Sequence, residues 1–204
     1  MNTKTLWGIL VAGAWLAIST QNVLAAGDVE QGKKKFNTCT GCHSIEGYTN
    51  AVPNYPVPRL GGQHAESVVA ALEAYADGSR KHGSMQGNAS GLAEQDLADL
   101  AAYISQKRLS TETNVITGDV AKGKEKSASC AGCHGEDGNS SAPNFPRLAG
   151  QYEGYLVKAL KDYKKGIRKN PIMNGIAESL SADEITNLSA YYASQQRGLV
   201  TLTD

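Results

Sequence analysis

The chain has 204 residues with 20 basic and 20 acidic side chains, a formal net charge of zero. With no cationic excess it has little to neutralise a run of phosphates, which excludes a nucleic-acid binder. The length suits two small domains better than one. A domain of about 80 residues is marginal on its apolar side chains alone, so something more is expected to complete each core.

Residues 1–25 read as a secretory signal. Lys4 gives a positive start, Leu6 to Ile18 is apolar and holds both tryptophans (Trp7 and Trp15), and Val23-Leu24-Ala25 offers a small-residue cleavage site. The apolar run is shorter than the ~20 residues of a spanning helix, and no later stretch is apolar enough to span. Cleavage removes one charge, Lys4, leaving 19 basic against 20 acidic residues and a net charge of −1. The expectation is an exported, periplasmic protein, with retention of the segment as an anchor as the alternative.

Asp28 caps a short helix running toward Cys39. A second helix is expected over His64 to Ala76, with Val68, Ala71, Leu72 and Tyr75 on one face, and a third over Glu94 to Gln106, with Leu97, Leu100, Ala101 and Ile104 on one stripe. Lys107 to Thr117, rich in Ser, Thr and charge, reads as a linker between domains at 26–106 and 118–204. Beyond it, helices are expected near Val120–Ala128, Glu153–Lys165 and Ala182–Gln195, with Ser181 and Glu184 as a capping box for the last. The Gly- and Pro-rich stretches Gly83–Gly91 and Asn170–Gly175 read as loops. No segment alternates with period two, so the expected fold is all-α: two three-helix domains.

The two domains are a tandem repeat, the kind of signal that organises a whole fold. Gly27-Asp28-Val29 with Gly32-Lys33 returns as Gly118-Asp119-Val120 with Gly123-Lys124, at an offset of 91. Past a loop that is three residues longer in the first half, the offset becomes 88. There Arg59-Leu60-x-Gly62-Gln63 matches Arg147-Leu148-x-Gly150-Gln151. Tyr75, Gly78, Arg80, Met85, Leu92 and Tyr103 match Tyr163, Gly166, Arg168, Met173, Leu180 and Tyr191.

All four cysteines lie in one repeated pentapeptide, Cys39-Thr40-Gly41-Cys42-His43 and Cys130-Ala131-Gly132-Cys133-His134. C-x-x-C-H is the attachment pattern of a c-type haem: each thiol adds to one vinyl group, and the adjacent imidazole reaches the iron. A four-cysteine zinc ribbon separates its pairs by roughly 15–20 residues, whereas these pairs are 91 positions apart. Two disulfides would not need the histidine, and a thioredoxin-like pair would need a βαβ context. Two haems in so short a chain also answer the question of the missing core. Export agrees, because bacteria attach this haem beyond the inner membrane.

For the second axial position the mature chain offers two methionines, Met85 and Met173, at equivalent points of the repeat and off any apolar helical stripe. Packing is their alternative role. His64 and His82 correspond to Tyr152 and Asn170, so neither recurs in the second half; either remains an alternative ligand for the first haem. His/Met ligation would raise the potential relative to bis-His and fill both positions on each iron, which favours electron transfer over catalysis. Each proximal imidazole needs an acceptor for its other nitrogen, and a backbone carbonyl near Pro58 or Pro146 is expected to serve. Arg59 and Arg147 are candidates to bind haem propionates through charge-assisted hydrogen bonds, with plain exposure as the alternative.

These pieces, with Pro58-Arg59-Leu60-Gly61-Gly62-Gln63 and Pro146-Arg147-Leu148-Ala149-Gly150-Gln151, resemble the dihaem cytochrome c4 family, two class I cytochrome c domains in tandem. The resemblance covers essentially the whole mature chain. It implies covalent haem at Cys39, Cys42, Cys130 and Cys133, and iron ligation by His43 with Met85 and by His134 with Met173. It implies haems close enough for rapid internal transfer. It also implies redox partners: a quinol–cytochrome c reductase or a small copper or haem carrier as donor, and a terminal oxidase or reductase as acceptor. Some members associate with the membrane surface. One departure stands out. Phe36 can pack against Tyr103, but the second half has Ser127 at that place, so Tyr191 needs another neighbour.

The halves differ in charge. The second helix of the first domain carries Glu66, Glu73 and Asp77; its counterpart carries Lys158, Lys161, Lys164 and Lys165, followed by Arg168 and Lys169. Such a dipole would steer an acidic partner to the second domain, or be an ordinary solvated face. The leading expectation is a soluble dihaem electron carrier. The cytochrome subunit of a multi-subunit dehydrogenase, such as a flavin-dependent sulfide-oxidising enzyme, is the runner-up. A dihaem enzyme, such as a peroxidase or thiosulfate dehydrogenase, would need an open or unusually ligated iron.

Overall fold

The computed structural model describes residues 26–203, so the expected signal segment lies outside the described residues. The first half holds α1 (Val29–Phe36), α2 (Thr40–His43), a hairpin of β1 (Thr49–Ala51) and β2 (Asn54–Pro56), α3 (Ala65–Ala76), α4 (Gly83–Ala89) and α5 (Glu94–Ser105). The second holds α6 (Val120–Lys126), α7 (Ala128–His134), α8 (Glu153–Lys164), α9 (Pro171–Glu178) and α10 (Ala182–Ala193). The fold is all-α apart from the hairpin, as expected.

The first and last long helices cross in each half, α1 on α5 and α6 on α10. The repeated glycines explain how they come so close. A Cβ on Gly32 would lie 2.0 Å from the Asp99 carbonyl oxygen, and one on Gly123 would lie 2.0 Å from that of Asn187. Side-chain oxygens of Asp28 and Asp119 cap α1 and α6. The basic end of each entering helix then meets the acidic start of the closing one, with Lys35 3.0 Å from Asp96 and Lys126 2.5 Å from Glu184. The Ser181–Glu184 capping box is present.

Two cores result. Phe36, Val68, Leu100, Ala101, Tyr103 and Ile104 fill the first; Leu156, Leu180, Ile185, Leu188, Tyr191 and Tyr192 fill the second. Phe36 and Tyr103 stand 5.4 Å apart at 50°. Ser127 is buried where Phe36 has its counterpart, and its hydroxyl donates to the Lys124 carbonyl. Tyr191 finds its neighbour next door in sequence, with the Tyr192 ring 5.1 Å away, and its hydroxyl donates to the Glu136 carbonyl.

Three features depart from the sequence reading. The segments around both methionines, expected as loops, are helices α4 and α9. The polar residue before each one caps it, and in α9 Pro171 opens the helix. Pro breaks a helix from inside but suits its first turn, so Asn170-Pro171 is a start signal. The second difference is the β1–β2 hairpin, in the part of the first half that carries the extra residues. Each strand has only three residues, too few for a period-two pattern. The hairpin leans on the other half: a Cβ on Gly154 of α8 would meet Pro56 at 2.9 Å. The third difference is the C-terminal tail, expected within the second domain. It crosses back, Val200 pairs with Gly61, and Leu202 packs into the first core.

The seam between the halves is built by the repeat itself. The Gln63 side-chain amide accepts from the Arg147 backbone N–H (2.9 Å) and donates to the Arg147 carbonyl (3.0 Å). Gln151 does the same to Arg59, at 2.9 Å each way. Each glutamine thus satisfies one backbone donor and one acceptor of the opposite half, groups that would be costly to bury alone. A second crossing point is the antiparallel bridge between Arg80 and Arg168.

Candidate haem sites

His43 ends α2 and His134 ends α7, so in each half the two cysteines and the imidazole share about one helical turn. Both imidazoles are buried, 8% and 7% exposed. The Nδ1–H of His43 donates to the Pro58 carbonyl at 3.0 Å, and that of His134 to the Pro146 carbonyl at 2.8 Å. A carbonyl can only accept, so the proton sits on Nδ1 and Nε2 keeps its lone pair. Burial pushes both imidazoles down from their ordinary pKa, against the opposing pull of the carbonyl bond. A neutral ring with Nδ1 fixed and Nε2 free is what a metal-bound histidine requires. The expected proline carbonyls supply the fixing bond.

The four thiols are unpaired. Among the described residues no three His, Cys, Asp or Glu groups come together as a metal site. Burial pushes the Cys39 thiol up.

Met85 and Met173 both occupy the third position of a capped helix. The Met85 N–H donates to His82 Nδ1 at 3.2 Å; the Met173 N–H donates to Asn170 Oδ1 at 3.0 Å. Both methionines are half-buried. This explains the His82–Asn170 mismatch in the repeat: both residues cap the methionine helix. The cap uses the Nδ1 lone pair of His82, and its ring lies edge-on to Tyr55 and Tyr75. The Nε2–H of His64 donates across the seam to the Ser140 carbonyl at 2.7 Å.

Arg59 is 2% exposed. It donates to Asn114 Oδ1 (2.8 Å), the Gly150 carbonyl (2.6 Å) and the Thr113 carbonyl (3.0 Å), and its Nε is 2.6 Å from the Glu112 carboxylate. Its guanidinium also lies over the Tyr152 ring. The structure therefore commits Arg59 to the linker, where the sequence suggested a propionate. Its equivalent Arg147 donates to the Gly62 carbonyl across the seam and keeps a buried Nε with no acceptor in the protein. The seam roles of Gln63 and Gln151 were not read from the sequence. The signal was present: both are repeated polar residues next to glycine with no apolar stripe to serve.

Haem c fits these residues. Each half presents a thiol pair, a neutral imidazole and a capped methionine. The buried Arg147 Nε lacks a protein acceptor, as expected where the remaining partner is not protein.

Comparison with known proteins agrees. The Cytochrome c family model matches residues 29–107 and again 120–196. Cytochrome c-552 of Acidithiobacillus ferridurans is 33% identical over 201 residues, 91% of this chain and 86% of that protein. Cytochrome c4 of Pseudomonas aeruginosa is 51% identical over 79 residues, a match spanning only 39% of each chain. A protein of Stutzerimonas stutzeri named thiosulfate dehydrogenase electron acceptor is 27% identical over 169 residues, 76% of this chain and 77% of its own. The crystal structure of reduced cytochrome c4 from Pseudomonas stutzeri superposes with a TM-score of 0.67 at 32% identity, covering 86% of this chain and 100% of that one. The chain belongs to the cytochrome c family: it is an electron-transfer protein of two tandem cytochrome c domains with two covalent haem c groups, in the dihaem form of cytochrome c4.

Proposed function

We propose that the chain is a periplasmic carrier of single electrons between respiratory-chain proteins, with its haems held by Cys39 and Cys42, and by Cys130 and Cys133, through thioethers. The axial ligands are His43 with Met85 and His134 with Met173. The observation that carries this reading is the matched pair of second-position helices: α4 and α9 both place methionine at the third residue, and both pin its N–H to the cap. When bound, the haem supplies the one-electron iron couple. The chain's own residues fix the imidazoles through Pro58 and Pro146, hold the methionine helices in register, and keep the two halves in one orientation. With two protein ligands on each iron, no position is left for a substrate.

A redox-poised optical titration of the purified protein tests it, following the far-red methionine–iron band of the ferric form. Met85→Ala and Met173→Ala should each remove about half of that band. A band that survives either substitution in full would remove that methionine from the ligand set.

The partner side follows from charge. Lys158 is paired with Asp162, and Lys164 donates to the Glu178 and Leu180 carbonyls at the end of α9. Lys161, Lys165 and Lys169 remain exposed and would steer an acidic redox partner to the second half. Unchanged stopped-flow rates at low salt after neutralising Lys161 and Lys165 would count against this. A second reading, the electron acceptor of a sulfur-compound dehydrogenase, draws support from the Stutzerimonas stutzeri relative so named. Co-purification with a larger dehydrogenase would favour it.

A further inference from the structure

We propose that Asn174 and Lys164 are positioning residues for Met173, tying α9 to α8 at both ends, and that α4, which lacks both ties, leaves Met85 the methionine an added base displaces first. The inference rests on the methionine ligation proposed above.

Each methionine helix packs on the long helix before it, α4 on α3 and α9 on α8. In the second half hydrogen bonds join the pair. The half-buried Asn174 amide donates to the Arg168 carbonyl at 2.9 Å and to the Tyr163 carbonyl in the last turn of α8. Its oxygen accepts from the Asn170 N–H at 2.7 Å. Asn170 is the residue whose side chain holds the Met173 N–H, so Asn174 connects the methionine cap to α8. At the other end of α9 the Lys164 ammonium donates to the Glu178 carbonyl at 3.0 Å and to that of Leu180. A cation there also meets the negative end of the helix dipole.

The repeat breaks at both positions. Gln86 stands in the place of Asn174 and is exposed, and Ala76 stands in the place of Lys164. Among the described residues no hydrogen bond joins α4 to α3. The first helical residue differs too. It is Pro171 in α9, whose fixed φ suits a helix start, and Gly83 in α4, which has no such restraint. A thioether leaves iron only as far as its helix gives way, so each anchoring bond raises the cost of displacing it. One or two net hydrogen bonds supply a factor on the order of ten, and that is the separation expected between the two methionines.

The test adds imidazole to the ferric holoprotein while following the far-red methionine–iron band. Band amplitude in the resting protein, set against haem counted by pyridine haemochrome, gives the number of methionine bonds. Fewer than two overturns the ligation reading and this inference with it. With two present, the band should fall in two equal steps, separated by on the order of tenfold in imidazole. Met173→Ala should leave only the low-imidazole step, and Met85→Ala only the high one. Asn174→Ala and Lys164→Met should each draw the high step down and leave the low step in place. Lys164→Met keeps the aliphatic stem, so it decides the matter where Asn174→Ala fails to fold. A single step in the unsubstituted protein, or the reverse assignment of the steps, would overturn the inference and leave the ligation standing. So would an unmoved high step in both variants, or equal shifts of both steps, the mark of a general loss of stability.

Discussion

The two halves answer the same haem with the same residues and answer each other with different ones. C-x-x-C-H, the proline carbonyl behind the imidazole, the helix-crossing glycine and the capped methionine occur twice with little change. The departures concentrate where one half meets the other. The first half carries the hairpin that leans on α8, and receives the C-terminal tail. Even a conserved pair diverges there: Arg59 is enclosed by the linker, while Arg147 donates to a single carbonyl partner. A duplicated domain keeps what its cofactor demands and changes what its twin demands.

The largest expected effect breaks the Arg59–Arg147 comparison. Arg59→Ala leaves the Glu112 carboxylate, which also accepts from Thr201, without its cation. Stability should fall by about 3–5 kcal/mol, the usual result of removing one partner of a buried pair. Arg147→Ala removes a single carbonyl contact and should cost about 1 kcal/mol. Guanidinium unfolding followed by far-UV circular dichroism measures both, and equal losses would erase the distinction.

Leu202→Ala should cost about 2–5 kcal/mol. Although Leu202 lies in the tail after α10 of the second domain, it fills the first core, so the methionine–iron band of the first haem should vanish at lower denaturant than that of the second. Simultaneous loss, or earlier loss of the second, would contradict the crossing tail.

The caps sharpen the comparison of α4 with α9. Asn170 receives two N–H groups, from Ile172 and Met173, whereas His82 receives one. Asn170→Ala should therefore cost about 1 kcal/mol and His82→Ala less, by the same unfolding assay.

The smallest effect is electrostatic. Glu184 is held down to about 2 by the Lys126 ammonium and the Ser181 bond, and Asp96 is lowered by the Ala93 N–H and Lys35. A carboxyl whose folded pKa is depressed stabilises the fold above its unfolded value, and that contribution is lost as pH falls toward the folded value. The Glu184 contribution should thus be present above pH 4.5 and disappear toward pH 2. Glu184→Gln should flatten the acid limb of the melting temperature over that window. An unchanged slope would mean that the pair holds nothing.

The sequence by itself determined most of what is local, though not the two methionine helices or the β1–β2 hairpin. The haem motifs, the repeat, the helices α1, α3, α5, α6, α8 and α10 and the Ser181–Glu184 box rest on residues close in the chain, where spacing is geometry. It also singled out the proline carbonyls and the methionines, because the same requirement appears twice. Tertiary structure alone decided what joins residues far apart. The Gln63–Arg147 and Gln151–Arg59 clamps span 84 and 92 positions, the return of Leu202 to the first core leaves no periodic trace, and the fate of Arg59 depends on a linker that composition shows only as polar. A donor's partner at such distance is chosen by which surfaces meet, and a pattern along one chain does not encode that meeting.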